Sequence, residues 1–287
     1  MQTAAYRIIE PQTVQTSVVF ASPHSGCDYP EWFIRRSLLN AHTIRSSEDA
    51  FVDQLFSDAP KFGAPFLVAQ APRALLDLNR AAEELDPALI QGVRKVGHNP
   101  RVASGLGVIP RVVANGRAIY DSKMTRAEAD IRIETYWRPY HSALKALLDA
   151  ARQQFGEAIL IDCHSMPREA VEGAMRRGVP RPEIVLGDRF GAAADVELVD
   201  QIEAAFVGAG FVVSRNTPFA GAYVTQHYGR PLKAQHAVQV EIDRSLYMDE
   251  ANIQPHAEFD SFQKRLSQVV AEISRLGQPE ANSLAAE

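Results

Sequence analysis

Ala158-Ile159-Leu160-Ile161-Asp162-Cys163-His164-Ser165 is the stretch on which the fold turns. A short apolar run of this kind, ending in polar residues, reads as a strand buried on both faces. Val18-Val19-Phe20-Ala21 is a second such run and leads into Ser22-Pro23-His24-Ser25-Gly26. Working outward, strand-like runs occur at 18–22, 65–69, 74–78, 158–162, 183–187, 211–214 and 236–242. Helical patterns lie between them at about 48–59, 125–155, 194–208 and 256–276. This alternation predicts an α/β fold, a three-layer α/β/α sandwich around a mostly parallel mixed sheet. Thr125 with Glu128 gives the longest helix a capping-box start, and Pro139 is expected to kink or divide it. Residues 81–117, with Pro87, Pro100 and Pro110, read as a long excursion over the sheet edge.

A chain of 287 residues with 46% hydrophobic content can bury one large core. Residues 1–277 are expected to form a single catalytic domain, and 278–287 a flexible C-terminal tail. The net charge of −5 and the scattered arginines argue against nucleic acid as a partner. No apolar run approaches the ~20 residues that span a bilayer, and Met1-Gln2-Thr3-Ala4-Ala5-Tyr6 lacks the features of a secretory signal, so a soluble cytoplasmic protein is expected. Two cysteines, Cys27 and Cys163, are too few for a disulfide framework and read as small packing residues. The composition leaves the oligomeric state open.

Ligands of open parallel sheets sit beyond the carboxyl ends of the strands, which is where His24 and His164 fall. Pro23 and Gly26 turn the chain sharply out of the first strand and expose the imidazole. Asp162 shares a strand face with His164 and is placed to fix its tautomer from the far ring nitrogen. Two histidines in matching contexts point to a metal. A catalytic zinc site takes three protein ligands and leaves a position for water, so a carboxylate is sought. Ser46-Ser47-Glu48-Asp49 offers Asp49, with Glu48 and Asp53 as competitors; in the alternative reading Ser46 caps a helix and Asp49 closes a capping box.

His236-Ala237-Val238-Gln239-Val240-Glu241-Ile242 alternates strictly and sets Gln239 and Glu241 on one face. On a central strand Glu241 is a buried carboxylate that needs a metal, a cation or a proton, and beside a metal site it could act as general base and then general acid. On an edge strand it would simply face water. Arg73 and the tetrad Asp77-Leu78-Asn79-Arg80 lie near the same face, where Asn79 and Arg80 offer an amide and a planar fork for a carboxylate. His42, His98, His141 and His256 read as exposed or core-satisfied, with His227 and His236 nearer the acidic strand.

His24 in its Ser-Pro-His-Ser-Gly turn, Asp49 before Val52, Leu55 and Phe56, Asp77-Leu78-Asn79-Arg80, Asp162-Cys163-His164-Ser165, His227-Tyr228-Gly229-Arg230-Pro231 and His236 to Glu241 follow one another in a characteristic order. In that order the chain resembles the N-formylglutamate amidohydrolases, a branch of the zinc-carboxypeptidase-like (phosphorylase/hydrolase-like) hydrolases, over roughly residues 15–250. The resemblance implies one zinc ion on His24, Asp49 and His164, with Glu241 as the acid/base. It implies hydrolysis of an N-formyl amino acid to formate and the free amine, which in the family serves histidine breakdown. The substrate is then a small anionic N-acyl amino acid, with Asn79 and Arg80 on its α-carboxylate. Arg111 is drawn in to polarise the scissile carbonyl or hold a second carboxylate, and Thr217, Gly221 and Tyr223 are drawn towards the pocket. One departure stands out: Ser47-Glu48-Asp49-Ala50 occupies the place where members often have Asp-Thr-Asp-Trp. A deacylase of another N-acyl amino acid or a small peptide-like amide would use the same groups. A metal-free hydrolase using Cys163 or Ser25, or a binding protein that retains only the fold, are the remaining readings.

Overall fold

The computed structural model describes residues 4–94, 99–173 and 180–279. Seven strands form the main sheet: β1 (Tyr6–Ile9), β2 (Val18–Ser22), β3 (Phe66–Ala69), β4 (Ala158–Met166), β5 (Ile184–Gly187), β6 (Val213–Arg215) and β7 (Gln235–Asp243). Their spatial order is β1-β3-β2-β4-β7-β5-β6. The centre, β3-β2-β4-β7, is parallel, while β1 on β3 and β5 on β7 are antiparallel. The expected mixed, mostly parallel sheet is therefore present, and β7 has neighbours on both sides.

Alternate residues of the central strands enter two separate cores. Val19, Ala21, Leu160 and Ala237 pack beneath the helix Arg138–Phe155, whereas Val18, Phe20, Ile159, Ile161 and Val240 pack beneath the helices Val196–Gly208 and Phe259–Leu276. Both faces of the sheet are covered, which is why β2 and the first half of β4 read as continuous apolar runs rather than alternating ones. The layers are helix, sheet, helix.

The longest helical region starts as expected, with the Thr125 side chain accepting from Glu128 N. Pro139 does not divide it. Proline cannot donate a backbone hydrogen bond, and the helix widens into a π turn over Ile133–Trp137 with Arg138 N donating to the Ile133 carbonyl, then runs on as Arg138–Phe155.

Two expected elements are corrected. Residues 74–78 form no strand: Leu75 N and Leu76 N both donate to the Pro72 carbonyl, and the Asp77 side chain accepts from Asn79 N in a further turn. Leu75, Leu76 and Leu78 are all fully buried, so their continuous apolarity mimics a strand. The helix expected over 48–59 shrinks to Val52–Leu55 between two 3₁₀ turns, Thr43–Ser47 and Ala59–Phe62. Asp49 N donates to the His24 carbonyl (3.0 Å) and Phe51 is left-handed (φ 66°), so the chain is pinned before a helix can begin. Ser46 Oγ has no hydrogen-bond partner, which removes the capping-box reading of Asp49. Among the described residues, the 81–117 excursion carries a helical turn, Pro100–Ala103, and a small hairpin, Val112–Val113 with Arg117–Ala118, joined by a 3₁₀ turn, Ala114–Gly116. His98 and most of the expected tail, 280–287, lie outside the described residues. Among the described residues no helix is long and apolar enough to cross a membrane.

Candidate metal centre and active site

Strand register builds the centre. β4 and β7 run in parallel with His164 opposite Glu241 and Asp162 opposite Gln239, all at the carboxyl ends. β2 lies on the other side of β4 and ends two residues before His24, so its turn delivers a second imidazole to the same place. The two rings meet edge to face, 4.8 Å between centroids. Asp49, tied by its backbone to His24, completes the group: ligand atoms of His24, Asp49 and His164 lie within 4.8 Å of one another, and all three residues are buried.

Each imidazole turns Nδ1 towards one oxygen of Asp49. Asp49 Oδ2 is 2.9 Å from His164 Nδ1 and 3.4 Å from His24 Nδ1. Behind the rings stand further carboxylates. His24 Nε2 donates to Asp77 Oδ1 (2.7 Å), and His164 Nε2 lies 3.0 Å from Asp162 Oδ2. Carboxylates in this position hold a ring in one tautomer and aim its other nitrogen. The Asp49 oxygen that faces away from the rings, Oδ1, accepts from Arg244 Nη2 (2.8 Å) and lies 3.7 Å from Arg73 Nη1.

These groups fit a metal ion. His24 Nδ1 is buried, has no hydrogen-bond partner and points into the cluster. Four buried carboxylates, Asp49, Asp77, Asp162 and Glu241, surround this space, with Arg73 and Arg244 beside Asp49 and Arg80 adding positive charge near Asp77. Burial alone would raise Asp49, but contacts with His164 and His24 hold it well below the usual carboxylate range. Burial alone would lower His164, yet Asp162 and Asp49 keep it well above the usual imidazole value. Nitrogen and carboxylate donors in this number suit zinc.

Glu241 is pushed up to about 7, chiefly by burial, against the pull of His164 and with Asp49 adding repulsion. That value suits a group that must both take and give a proton near neutrality. Its Oε1 accepts from Gln239 Nε2 at 2.7 Å.

Of the remaining expected residues, the structure gathers some and disperses others. Arg73 sits at the cluster, its Nε donating to Asp77 Oδ2 (3.2 Å), and lines a cavity of about 1030 Å³ together with Asp77 and Arg244. Asn79 is also present: its Oδ1 accepts from Val224 N, and its Nδ2 lies 3.2 Å from His164 Nε2. Arg80 donates to the carbonyls of Leu106 and Asn79. Arg111 is held by Asp86 (2.8 Å) and the Ala103 carbonyl rather than by the clustered groups. The Thr217 carbonyl accepts from Ser214 Oγ, Gly221 sits in the turn beside Gln239, and Tyr223 stacks on His227 at a smaller cavity of about 280 Å³. Glu48 is taken up by Arg45 and Asp53 by Arg7, so of the three competing carboxylates only Asp49 joins the histidines. Buried His141 is satisfied by Tyr228 and the Leu78 carbonyl.

Sequence reasoning missed Asp77 as the partner of His24, Arg244 as the partner of Asp49, and Gln239 as the partner of Glu241. Gln239 carried a signal, since strict alternation already placed it on the face of Glu241. Arg244, just past the end of β7, carried none.

The fold and its centre define an α/β/α hydrolase whose polar groups converge at the carboxyl ends of parallel strands. The chain belongs to the N-formylglutamate amidohydrolase family, whose profile it matches over residues 16–248. It is 29% identical to an N-formylglutamate deformylase of Pseudomonas putida and 31% identical to one of Pseudomonas aeruginosa; each match covers 81% of this chain and 82% of the relative. Among solved structures, the N-formylglutamate amidohydrolase of Ralstonia eutropha superposes with a TM-score of 0.88 at 33% identity, covering 95% of this chain and 98% of that one. A gene product of Agrobacterium tumefaciens shares the fold at 19% identity and a TM-score of 0.61, over 94% of this chain and 96% of that one.

Proposed function

We propose that this chain hydrolyses the N-formyl amide of N-formyl-L-glutamate, or of a related N-acyl amino acid, to formate and the free amino acid, with one zinc ion held by His24, Asp49 and His164. The observation that carries the reading is the convergence of those three residues beside a glutamate whose pKa lies near neutrality. Relatives named for this reaction support the choice of substrate. When bound, the zinc ion supplies Lewis acidity, which eases ionisation of water and stabilises negative charge on a carbonyl oxygen.

The side chains account for the rest. Glu241 takes a proton from water as the new C–O bond forms at the formyl carbon, then returns it to the amine nitrogen as the C–N bond breaks. Without that proton the amine would leave as a high-energy anion. Arg73 and Arg244 bring positive charge to the cavity, where an anionic substrate and a developing oxyanion both gain from it. Burial strengthens these interactions by thinning the water between the charges.

Formate release from N-formyl, N-acetyl and N-succinyl amino acids, with metal content measured on the same preparation, tests the proposal. Zinc at one equivalent and a preference for N-formyl-L-glutamate are expected. Activity that survives complete chelation would overturn it. The size of the cavity favours a second reading, since about 1030 Å³ admits an acyl group larger than formyl; preference for an N-succinyl or N-acetyl substrate in the same assay would select it.

A further inference from the structure

Gln239 is buried on β7, two residues before Glu241 and on the same face. Its amide cannot be turned round. Ala222 N, which can only donate, lies 3.2 Å from Gln239 Oε1, so the carbonyl oxygen faces the backbone and the NH₂ group faces Glu241 Oε1 at 2.7 Å. The close approach of that backbone is itself built in. Gly187 is the register partner of Gln239 on β5, and a Cβ there would lie 2.7 Å from the backbone of Ala220 and Gly221. Lacking a side chain, Gly187 lets the 220–222 turn settle onto the sheet.

We propose that Gln239 is a positioning residue for Glu241, holding Oε1 as a permanent acceptor and leaving Oε2 as the oxygen that takes and returns the proton. The inference rests on the acid/base role given to Glu241 above. An amide NH₂ can donate to either protonation state of the carboxyl group but cannot accept from it. When Glu241 is protonated, its carbonyl oxygen is the stronger acceptor and stays with the amide, which favours the proton on Oε2. Both halves of the transfer then use one oxygen, and the carboxyl group need not rotate between them. The fixed donor also limits the side chain to one orientation throughout the cycle.

Gln239→Glu keeps an acceptor for Ala222 N and replaces the permanent amide donor with a carboxyl group that competes with Glu241 for a proton. Gln239→Met is the uncharged companion and removes both bonds. Both are compared with the zinc-loaded wild-type chain for kcat and KM on N-formyl-L-glutamate, and for zinc content and thermal midpoint. A hydrogen bond to a charged group corresponds to roughly a ten- to hundredfold change. A fall in kcat of that size is expected in both variants, with KM within about twofold and zinc content unchanged. If Gln239→Glu does not fold, the kcat and KM of Gln239→Met decide. Undiminished kcat in either folded variant, or a loss confined to KM, overturns the positioning role while the proposed reaction stands. A wild-type chain that hydrolyses no N-acyl amino acid overturns both.

Discussion

At the scale of single residues, Glu241 is set against the stability of its own fold. Its folded-state pKa of about 7 exceeds the ordinary 4.5, so the folded chain binds the proton more tightly than the unfolded one. Ionising it therefore costs stability: the penalty is absent below the ordinary value, grows as pH rises and is complete above about 7. At 1.36 kcal/mol per pKa unit the full penalty is ~3 kcal/mol. Glu241→Gln should lower turnover by at least about a hundredfold. The same variant, stripped of metal, should be up to ~3 kcal/mol more stable than its parent at high pH, with the gain vanishing in mild acid. Urea unfolding at both pH values measures this, and a pH-independent difference would refute the link to ionisation. Asp77 gives a second test. Asp77→Asn keeps a hydrogen-bonding oxygen beside His24 but weakens the hold on its tautomer, and zinc affinity should fall about 10- to 100-fold in a competition titration. Unchanged affinity would leave Asp77 a purely structural acid.

At the scale of elements, the turn over residues 217–224 is the part that both sheet and site depend on. Gly221 has φ +102°, and a Cβ there would lie 2.3 Å from Thr225 Oγ1. Gly221→Ala is expected to destabilise the fold by about 1–3 kcal/mol through backbone strain. It should also lower turnover, because Ala222 N holds Gln239 and Val224 N holds Asn79. A thermal midpoint and activity both equal to those of the parent would show that the turn adapts freely. The central strands β2 and β4 were legible in the sequence because burial on two faces leaves apolar runs, His24 and His164 followed from where those runs end, and Glu241 followed from the alternation along its own strand. Tyr6–Ile9 escaped notice, since an edge strand with partly exposed side chains has no such run. Residues 74–78 and 48–59 misled for the converse reason: their apolarity serves core packing around turns, and contacts distant in sequence, such as Asp49 N to the His24 carbonyl, decide their shape. Asp77 and Arg244 act across 53 and 195 residues of chain, separations at which no local periodicity survives.

Across the whole molecule, charge bears on the metal proposed for the centre. The cavity walls carry Arg73, Arg117, Arg168 and Arg244 against Asp77, Glu169, Glu172 and Glu250, an even balance in a chain of net charge −5. The walls as a whole add little to the local pull of Arg73 and Arg244 on an anionic substrate, and the cation proposed on His24, Asp49 and His164 would reinforce that pull. In the metal-free chain, Asp162 and Asp49 hold His164 well above its usual pKa against the effect of burial. A metal ion can take the imidazole nitrogen only after its proton leaves. Zinc affinity should therefore strengthen with rising pH, by about tenfold per unit for each proton displaced, until His164 is neutral in the free protein as well. Calorimetric titrations in buffers of different ionisation enthalpy count the protons directly, and about one per zinc is expected. Binding that releases no proton at neutral pH would show His164 already neutral in the free chain, and the positive charge that balances the cluster would then have to reside on Arg73, Arg80 and Arg244 alone.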